Sequence, residues 1–480
     1  MRINKELLIG KKNLELYISA SIDGKEVIPE RRANCLVGNF LKILHLQMGA
    51  YSVPLANMPP FSYVAADFRN VASITSGVGG KCRMYCATGL TGASSGKVVL
   101  NGFVTSGTAI SDGVYSYTKV VSDNYIDVSD GPDFSAIGAY TANSGAVKCF
   151  VESAVPADFY MSNYGFNTPT IVVGTDNTAV ALSDYCLKKE IANGTTARRL
   201  SYGVMNIATD TETSTYAEES FTQTFTNSTG STITIYEIGM YTKHAINAAP
   251  LLLIMRDLID GGIAITSAKT LTVNYKLRST LTTAGTDPGG FLSKFMTQLN
   301  RAFALSAKSI TNTDNGGNAG SWGNHAFRVT AGAGLRAMNG SERTSGNGDQ
   351  AWKYGIVLGR DDTAVAQGNY FLGMPIVHGS GSNEMLQYGC FMTNFVEDAD
   401  YVSFDIVKVF ENNSGSAITV KEIGLTGGNV STYTYASNSY LFGCNPNSLF
   451  LMARNVFTTP VVVNDQVVLK VTYTIKILLP

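Results

Sequence analysis

Apolar and polar residues alternate along two stretches near the ends of the two halves of the chain. In residues 270–277 and 467–477 the apolar side chains recur at every second position, as in a strand with one buried and one exposed face. Two shorter runs, residues 221–226 and 231–236, flank a turn that ends at Gly230, where glycine can adopt positive φ. These patterns predict a mainly β chain with antiparallel strands.

The sequence contains the same pattern twice. The segment from Ile171 reads Ile-Val-Val-Gly-Thr-Asp-Asn-Thr-Ala-Val-Ala, and 185 residues later the segment from Ile356 reads Ile-Val-Leu-Gly-Arg-Asp-Asp-Thr-Ala-Val-Ala. A second block keeps this spacing, because residues 225–239 and 410–424 share Phe-x-Asn-x-Ser/Thr-Gly-Ser-x-Ile-Thr-x-x-Glu-Ile-Gly. Two gapless blocks in one register indicate an internal duplication.

An amphipathic helix is predicted ahead of each copy. Apolar residues lie on one helical face of residues 34–48, and residues 290–305 repeat that face at an offset of 255. Since the sheet blocks have an offset of only 185, the first copy carries about 70 more residues between its helix and its sheet. We assign most of them to a small β insertion at about 92–156. In the second copy, residues 427–447 are predicted to form a longer loop.

The predicted architecture is two tandem antiparallel β-sandwich modules of the jelly-roll-like kind, each preceded by its helix. The first repeat unit covers residues 1–288, with its sandwich at about 165–282. The second covers residues 289–480, with its sandwich at about 350–480.

Several polar and turn residues recur at equivalent positions of the two copies. They are Asp176 and Asp361, Glu237 and Glu422, Arg256 and Arg454, and Gly230 and Gly415. We expect the aspartates to form Asx turns and the glycines to close hairpins. We also expect each glutamate to pair with the arginine of its own copy and so fix a strand end to the next element. Since arginine cannot act as a general base, these pairs do not indicate catalysis.

The composition favours a protein that works by assembly. Charged residues make up 15% of the chain, against about 25% in an ordinary domain, which suits a surface covered by neighbours or a sheet rich in Ser, Thr and Gly. The net charge of −1 and the absence of a basic run argue against nucleic-acid binding. The apolar runs are too short to span a membrane, and the start of the chain lacks a signal-peptide core. The seven cysteines, at irregular spacing, suit folding in a reducing cytoplasm.

No catalytic, cofactor or metal site is predicted. Residues 92–96 match Gly-x-Ser-x-Gly, but a strand-like run follows where a nucleophile elbow needs a helix. The four histidines are isolated, and Cys82 and Cys86 lack a second pair at zinc-like spacing. The acidic residues between 123 and 133 are favoured as a solvated turn over a calcium loop.

The block at 225–239 and 410–424 resembles a motif in structural proteins of tailed bacteriophages. Residues 31–44 look like the helix that often precedes this motif, and the resemblance covers roughly a quarter of the chain. It implies a virion component and supplies no catalytic residues.

We therefore expect a non-enzymatic virion protein of the tail, neck or collar, assembled in the host cytoplasm with other virion proteins and with copies of itself. A ring of duplicated chains offers twice as many similar modules as chains, so it can join layers of different symmetry. Two alternatives stay open. One is a receptor-binding fibre or adhesin in which Tyr433, Tyr435 and Tyr440 bind host glycan. The other is a capsid decoration or head-fibre protein.

Overall fold

The structure is a computed structural model. The residues that it describes are 1–9, 14–33, 62–65, 68–90, 94–120, 124–153, 170–181, 183–213, 215–243, 251–280, 292, 310–313, 319–322, 327–328, 355–366, 369, 371–398, 401–430 and 444–478.

Strands form nearly all the regular secondary structure of these residues, so the prediction of a mainly β chain is confirmed. Within the described ranges the exceptions are one short α-helix, α1 (Phe134–Ile137), and a 3-10 turn at Val78–Gly80. The predicted helix at 34–48 lies outside the described residues. Of the one at 290–305, only Leu292 is described.

The two copies contain the same strands in the same order. Those of the first copy are β11 (Thr170–Gly174), β12 (Ser201–Tyr202), β13 (Asn206–Glu212), β14 (Tyr216–Thr226), β15 (Ile233–Lys243), β16 (Leu251–Ile265) and β17 (Thr270–Thr280). Those of the second are β21 (Gly355–Gly359), β22 (Leu386–Gln387), β23 (Phe391–Glu397), β24 (Tyr401–Glu411), β25 (Ile418–Val430), β26 (Cys444–Val463) and β27 (Val468–Leu478). Three short strands precede the second set, namely β18 (Ile310–Thr313), β19 (Ala319–Trp322) and β20 (Phe327–Arg328).

Each copy divides its strands between two sheets. One sheet has the order β11-β15-β16 in the first copy, and in the second copy β21 and β26 flank β25 in the same way. The other sheet places β12 and β13 on one side of β14 and β17 on the opposite side, and β22, β23, β24 and β27 repeat that order. Alternate side chains of β17 and β27 are buried, and residues of both sheets of each copy belong to one continuous core. Burial of each such apolar side chain contributes about 1.5–3 kcal/mol.

The first 33 residues complete both copies. Their strands are β1 (Arg2–Ile9), β2 (Leu14–Ile22) and β3 (Lys25–Arg32). β2 lies antiparallel to β17 in the first copy, with β3 beside it, whereas β1 lies parallel to β27 in the second copy. The N-terminal residues therefore supply a strand at equivalent positions of two different sheets, in opposite directions.

The insertion of the first copy is a closed β-barrel. Its strands are β4 (Ser62–Ala65), β5 (Arg69–Ser76), β6 (Cys82–Cys86), β7 (Ser95–Asn101), β8 (Gly113–Val120), β9 (Tyr125–Val128) and β10 (Ala146–Ser153). The order β10-β5-β6-β9-β8-β7 closes on itself, because β7 also pairs with β10, and a separate core fills its interior.

The barrel corrects the boundary expected for the insertion at about 92–156. Three of its strands, β4, β5 and β6, precede residue 92, and its last strand ends at Ser153. The difference in length between the copies gives the number of extra residues but not which ones form the extra element. The predicted loop at 427–447 also needs correction at both ends, since β25 continues to Val430 and β26 starts at Cys444.

The core-facing side of β1 should stabilise the second copy. Leu7 is fully buried in the shared core, whereas the neighbouring Leu8 is only partly buried on the opposite face of the strand. We expect Leu7→Ala to lower the free energy of unfolding by about 2–4 kcal/mol, through lost burial and a residual cavity. Leu8→Ala, the matched control, should lower it by less than about 1 kcal/mol. Urea unfolding of the three chains measures this, and equal losses for the two variants would contradict the placement of β1.

Candidate functional site

Each copy buries an arginine between its sheet and the loop that follows the first strand. Arg256 on β16 and Arg454 on β26 are no more than 1% exposed. Arg256 Nε donates to Glu237 Oε2 at 2.8 Å, and Arg454 Nε donates to Glu422 Oε2 at 2.7 Å. The two ion pairs expected from the sequence are therefore present.

A glycine makes room for each glutamate. Gly174 at the end of β11 lies opposite Glu237, and Gly359 at the end of β21 lies opposite Glu422. A Cβ at either glycine would overlap the Oε1 atom of the facing glutamate. Only glycine can stand at these positions without displacing the ion pair. Both glycines occur in the repeated block of the sequence, but their role depends on strand pairing that the sequence alone does not give.

Backbone amides of the loop bind the same carboxylates. The amides of Lys188 and Lys189 donate to Glu237 at 3.1 and 2.8 Å. In the second copy the amide of Met374, at the position equivalent to Lys189, donates to Glu422 at 3.1 Å. Burial raises the pKa of Glu237, and the charge of Arg256 and these amide hydrogen bonds oppose that effect.

The guanidinium groups are also held by the loop that carries the expected Asx turns. Asp176 accepts the amide of Thr178 at 2.7 Å, and Asp361 accepts the amide of Thr363 at 3.2 Å, so both turns are formed. The same carboxylates face the arginines, with Nη2–carboxylate distances of 3.8 Å in the first copy and 3.2 Å in the second. Hydrogen bonds from Thr363 lower the pKa of Asp361. Each turn is thereby fixed to the buried arginine of its copy.

A further residue at an equivalent position completes each cluster, and it was not among the residues expected from the sequence. Arg256 Nη1 contacts Asp184 at 3.0 Å, and Arg454 Nη1 contacts Asn369 Oδ1 at 3.1 Å. The only signal in the sequence was the location of this position, directly before the matched tyrosines of the repeat.

The charges of the cluster change together between the copies. In the first copy Lys188 pairs with Asp184 at 2.7 Å, and Lys189 lies 3.5 Å from Asp176. The second copy has Asn369 in place of the aspartate, and it has glycine and methionine in place of the two lysines. A carboxylate and the two cations beside it in the first copy are thus all replaced by uncharged residues in the second. Each cluster pairs its buried arginine with carboxylates of its own copy, which is the behaviour of a structural element.

The hairpin turn after β14 and β24 is built on a buried asparagine. Asn227 Nδ2 donates to the carbonyls of Ser231 and Ile265, both at 2.7 Å, and Asn412 repeats these bonds in the second copy. Gly230 and Gly415, the expected turn glycines, both have a φ of 77°. The asparagine side chain thereby joins this hairpin to the turn between the last two strands of its copy.

Different elements cover the outer face of the three-stranded sheet in the two copies. In the first copy Val99 of the barrel packs with Val172 and Leu253. In the second copy Leu292 packs with Val357 and Leu451, which are the equivalent sheet residues. The barrel and Leu292 therefore cover corresponding faces.

A buried ion pair ties the barrel to the first copy. Lys148 of β10 contacts Glu190 at 2.7 Å, and its Nζ lies 4.8 Å from the ring centroid of Tyr241. At the positions of Glu190 and Tyr241 the second copy has Pro375 and Thr426. The attachment residues of the barrel are therefore specific to the first copy.

The remaining candidates from the sequence have structural partners or lie outside the description. Of the acidic loop, Asp127 pairs with Arg83 at 2.7 Å and Asp133 pairs with Lys81 at 2.8 Å. No group of three metal-ligating side chains occurs in the part of the chain that the structure describes. His378 Nδ1 accepts a backbone amide at 3.0 Å. The side chains outside the described residues include Tyr433, Tyr435 and Tyr440, as well as His45, His244 and His325.

The two barrel cysteines are buried thiols. Cys82 and Cys86 alternate inward on β6, and burial raises the pKa of the first thiol to about 11 and that of the second to about 12. Both thiols therefore stay protonated and unreactive at neutral pH.

Lys408 is a further buried cation, on β24 of the second copy. Burial lowers the pKa of this fully buried amine to about 8. At the equivalent position of the first copy, Gln223 accepts the amide of Ile171 at 2.8 Å and donates to the carbonyl of Gly203 at 3.1 Å. An uncharged amide therefore serves in one copy where the other holds a lysine.

Comparison of the chain with protein families, with curated proteins and with solved structures gives no match. Among the described residues there is no helix of the length and apolarity needed to cross a bilayer.

Removing one partner of a buried ion pair should cost more than removing both. We expect Arg454→Met and Glu422→Gln each to lower the free energy of unfolding by about 3–5 kcal/mol, because each leaves its partner buried without its counter-charge. The double variant should lose much less than the sum of the two, which a double-mutant cycle from urea unfolding measures. Lys269→Met is the control, since Lys269 and Asp23 form an exposed pair, which solvent screens and which should contribute little to stability. Additive losses at the buried pair would contradict the coupling.

The buried lysine should make stability depend on pH above neutrality. The pKa of Lys408 is about 8 in the fold and 10.5 as its ordinary value, so the folded chain binds fewer protons between these values. Stability should therefore rise by on the order of 3 kcal/mol as the pH goes from about 8 to 10.5, and it should be level below about pH 8, where the lysine is protonated in both states. Lys408→Gln should remove this rise relative to the original chain in urea unfolding at a series of pH values. Parallel pH profiles for the two chains would rule the effect out.

Proposed function

We propose that this chain is a non-enzymatic structural protein of a tailed-phage virion, located in the tail, neck or collar and assembled in several copies. Its two copies would each be an antiparallel β-sandwich, one of them carrying the barrel. The observation that carries the proposal is that the repeated side chains are used internally, in closed clusters around Arg256 and Arg454. A duplicated ligand site would be expected to repeat exposed polar groups instead.

The charge distribution supports an assembly role. The repeated carboxylates and guanidinium groups are paired within each cluster, so they present little charge to a diffusing substrate. One difference between the copies is the outer cover of the sheet, where the barrel stands in one copy and Leu292 in the other. A difference in the outer cover suits neighbours of different kinds.

The duplication also supports a ring. A ring of these chains would present alternating modules, one with the barrel and one without it, on a common framework. Such a layer can contact a second layer of different symmetry through either half of each chain. Other virion proteins and further copies of this chain are the partners that the proposal implies.

The test is the position of the chain in the particle. We expect electron microscopy of the purified chain to show closed rings, and immunogold labelling of particles that contain it to mark the neck or tail. Antibody that has been absorbed with the purified chain is the control. Labelling spread over the capsid would favour a decoration protein. Binding of the purified chain to host glycans, without rings, would favour a receptor-binding protein. Either result would contradict the proposal.

A further inference from the structure

The strand β1 is held by a sheet that lies at the other end of the chain. It pairs with β27 from Arg2 opposite Lys470 to Ile9 opposite Ile477. The N-terminal amine donates to the carbonyl of Val468 at 3.0 Å. On its inner face β1 adds buried apolar side chains to the core of the second copy. The second copy is thus completed by residues that precede the first.

No strand from the described part of residues 289–480 takes this position. β27 has β24 on one side and β1 on the other. The first copy fills the equivalent position beside β17 with β2, which runs antiparallel, whereas β1 runs parallel. The framework therefore accepts a strand in either direction at this place, and the donated strand has to come from elsewhere in sequence.

The connection between β1 and its own module is short and polar. β1 ends at Ile9 and β2 starts at Leu14, and the residues between them are Gly-Lys-Lys-Asn. At 3.3–3.6 Å per residue these five steps reach at most about 18 Å. β1 is also the edge strand of its sheet among the described residues, so it can leave that sheet when its one ladder, with β27, opens.

An exchanged β1 would make the same hydrogen bonds and apolar contacts in another molecule of this chain. The register with β27, the terminal hydrogen bond to Val468 and the inward apolar side chains all belong to the strand and the receiving edge. They do not depend on which molecule donates the strand. Strand exchange between identical chains accordingly needs little energy beyond the opening of one edge, and an open edge readily pairs with another strand.

We propose that β1 is a donor strand that is exchanged between neighbouring molecules of this chain. β1 of one molecule then completes the sheet that contains β27 in the next molecule. The short connection requires the receiving edge of β27 to lie within about 18 Å of the start of β2 in the donor. The molecules are thereby linked head to tail by main-chain hydrogen bonds. This inference goes beyond the proposed function and does not rest on it, because it applies to any assembly of the chain.

Disulfide trapping between two full-length single variants tests the exchange. Asn4 and Thr472 are register partners on the outward faces of β1 and β27, at a separation that a disulfide can bridge. Chains with Asn4→Cys and chains with Thr472→Cys, of distinguishable length, are mixed, unfolded, refolded together at high concentration and oxidised. A product that contains one chain of each kind can form only if β1 has entered another molecule.

The matched control uses the equivalent pair in the first copy. Ser21 on β2 and Thr272 on β17 are register partners, but β2 lies between β17 and β3 in the sheet of its own copy. Chains with Ser21→Cys and with Thr272→Cys should give no mixed product. The native chain under the same oxidation is the blank for its own cysteines, and the five described ones are buried.

We expect the mixed product from the β1 and β27 variants in the assembled fraction, and none from the control pair beyond the native-chain blank. The double variant Asn4→Cys/Thr472→Cys adds a second reading. If it crosslinks only within single chains, in monomers and in assemblies alike, exchange does not occur and the inference is overturned. Rings with only intrachain crosslinks would overturn the exchange and leave the proposed function standing. Exchanged oligomers that form no rings would do the reverse.

Discussion

The fold of each copy depends on a guanidinium group that has been removed from water. A buried charge is strongly unfavourable unless it is paired and hydrogen-bonded, so Arg256 and Arg454 constrain everything around them. The facing strand has to supply a glutamate, the strand beside that one has to end in glycine, and the following loop has to direct its carboxylates and carbonyls inward. The loop is thereby fixed to the sheet by polar contacts as well as by its buried apolar side chains, such as Leu187 and Leu372.

What the sequence predicts correctly are the features that local pattern determines. Alternation locates β17 and β27, and the spacing of the repeat locates both ion pairs and both turn glycines. The closure of the barrel and the pairing of β1 with β27 could not be predicted, because they join residues far apart in sequence. Local periodicity contains no information about such partners. The remaining partner of each buried arginine, Asp184 or Asn369, could not be found from the repeat, because the residue type differs between the copies.

The differences between the copies follow physical rules as much as the similarities do. In the cluster, a carboxylate and the two lysines beside it are absent together from the second copy, where Arg454 keeps Glu422 and Asp361 as its charged partners. At the barrel contact, a buried lysine is tolerated because Glu190 and the ring of Tyr241 receive it, and neither is present in the other copy. A module can therefore lose or gain a covering element only when the polar residues beneath it change too.

The position of β1 has consequences for how the chain folds. β1 is synthesised before either copy, whereas its partner β27 is synthesised after the other strands of the second copy. Contacts between such distant residues form slowly, because a long loop has to close before they stabilise anything. During that interval the first copy can complete its sheet with β2, whereas β1 still lacks the edge of β27 with which it pairs. Where many molecules are made side by side, the completed β27 of a neighbouring molecule is then available before the β27 of the same molecule. Intrachain and interchain pairing are therefore in kinetic competition, and local concentration decides between them.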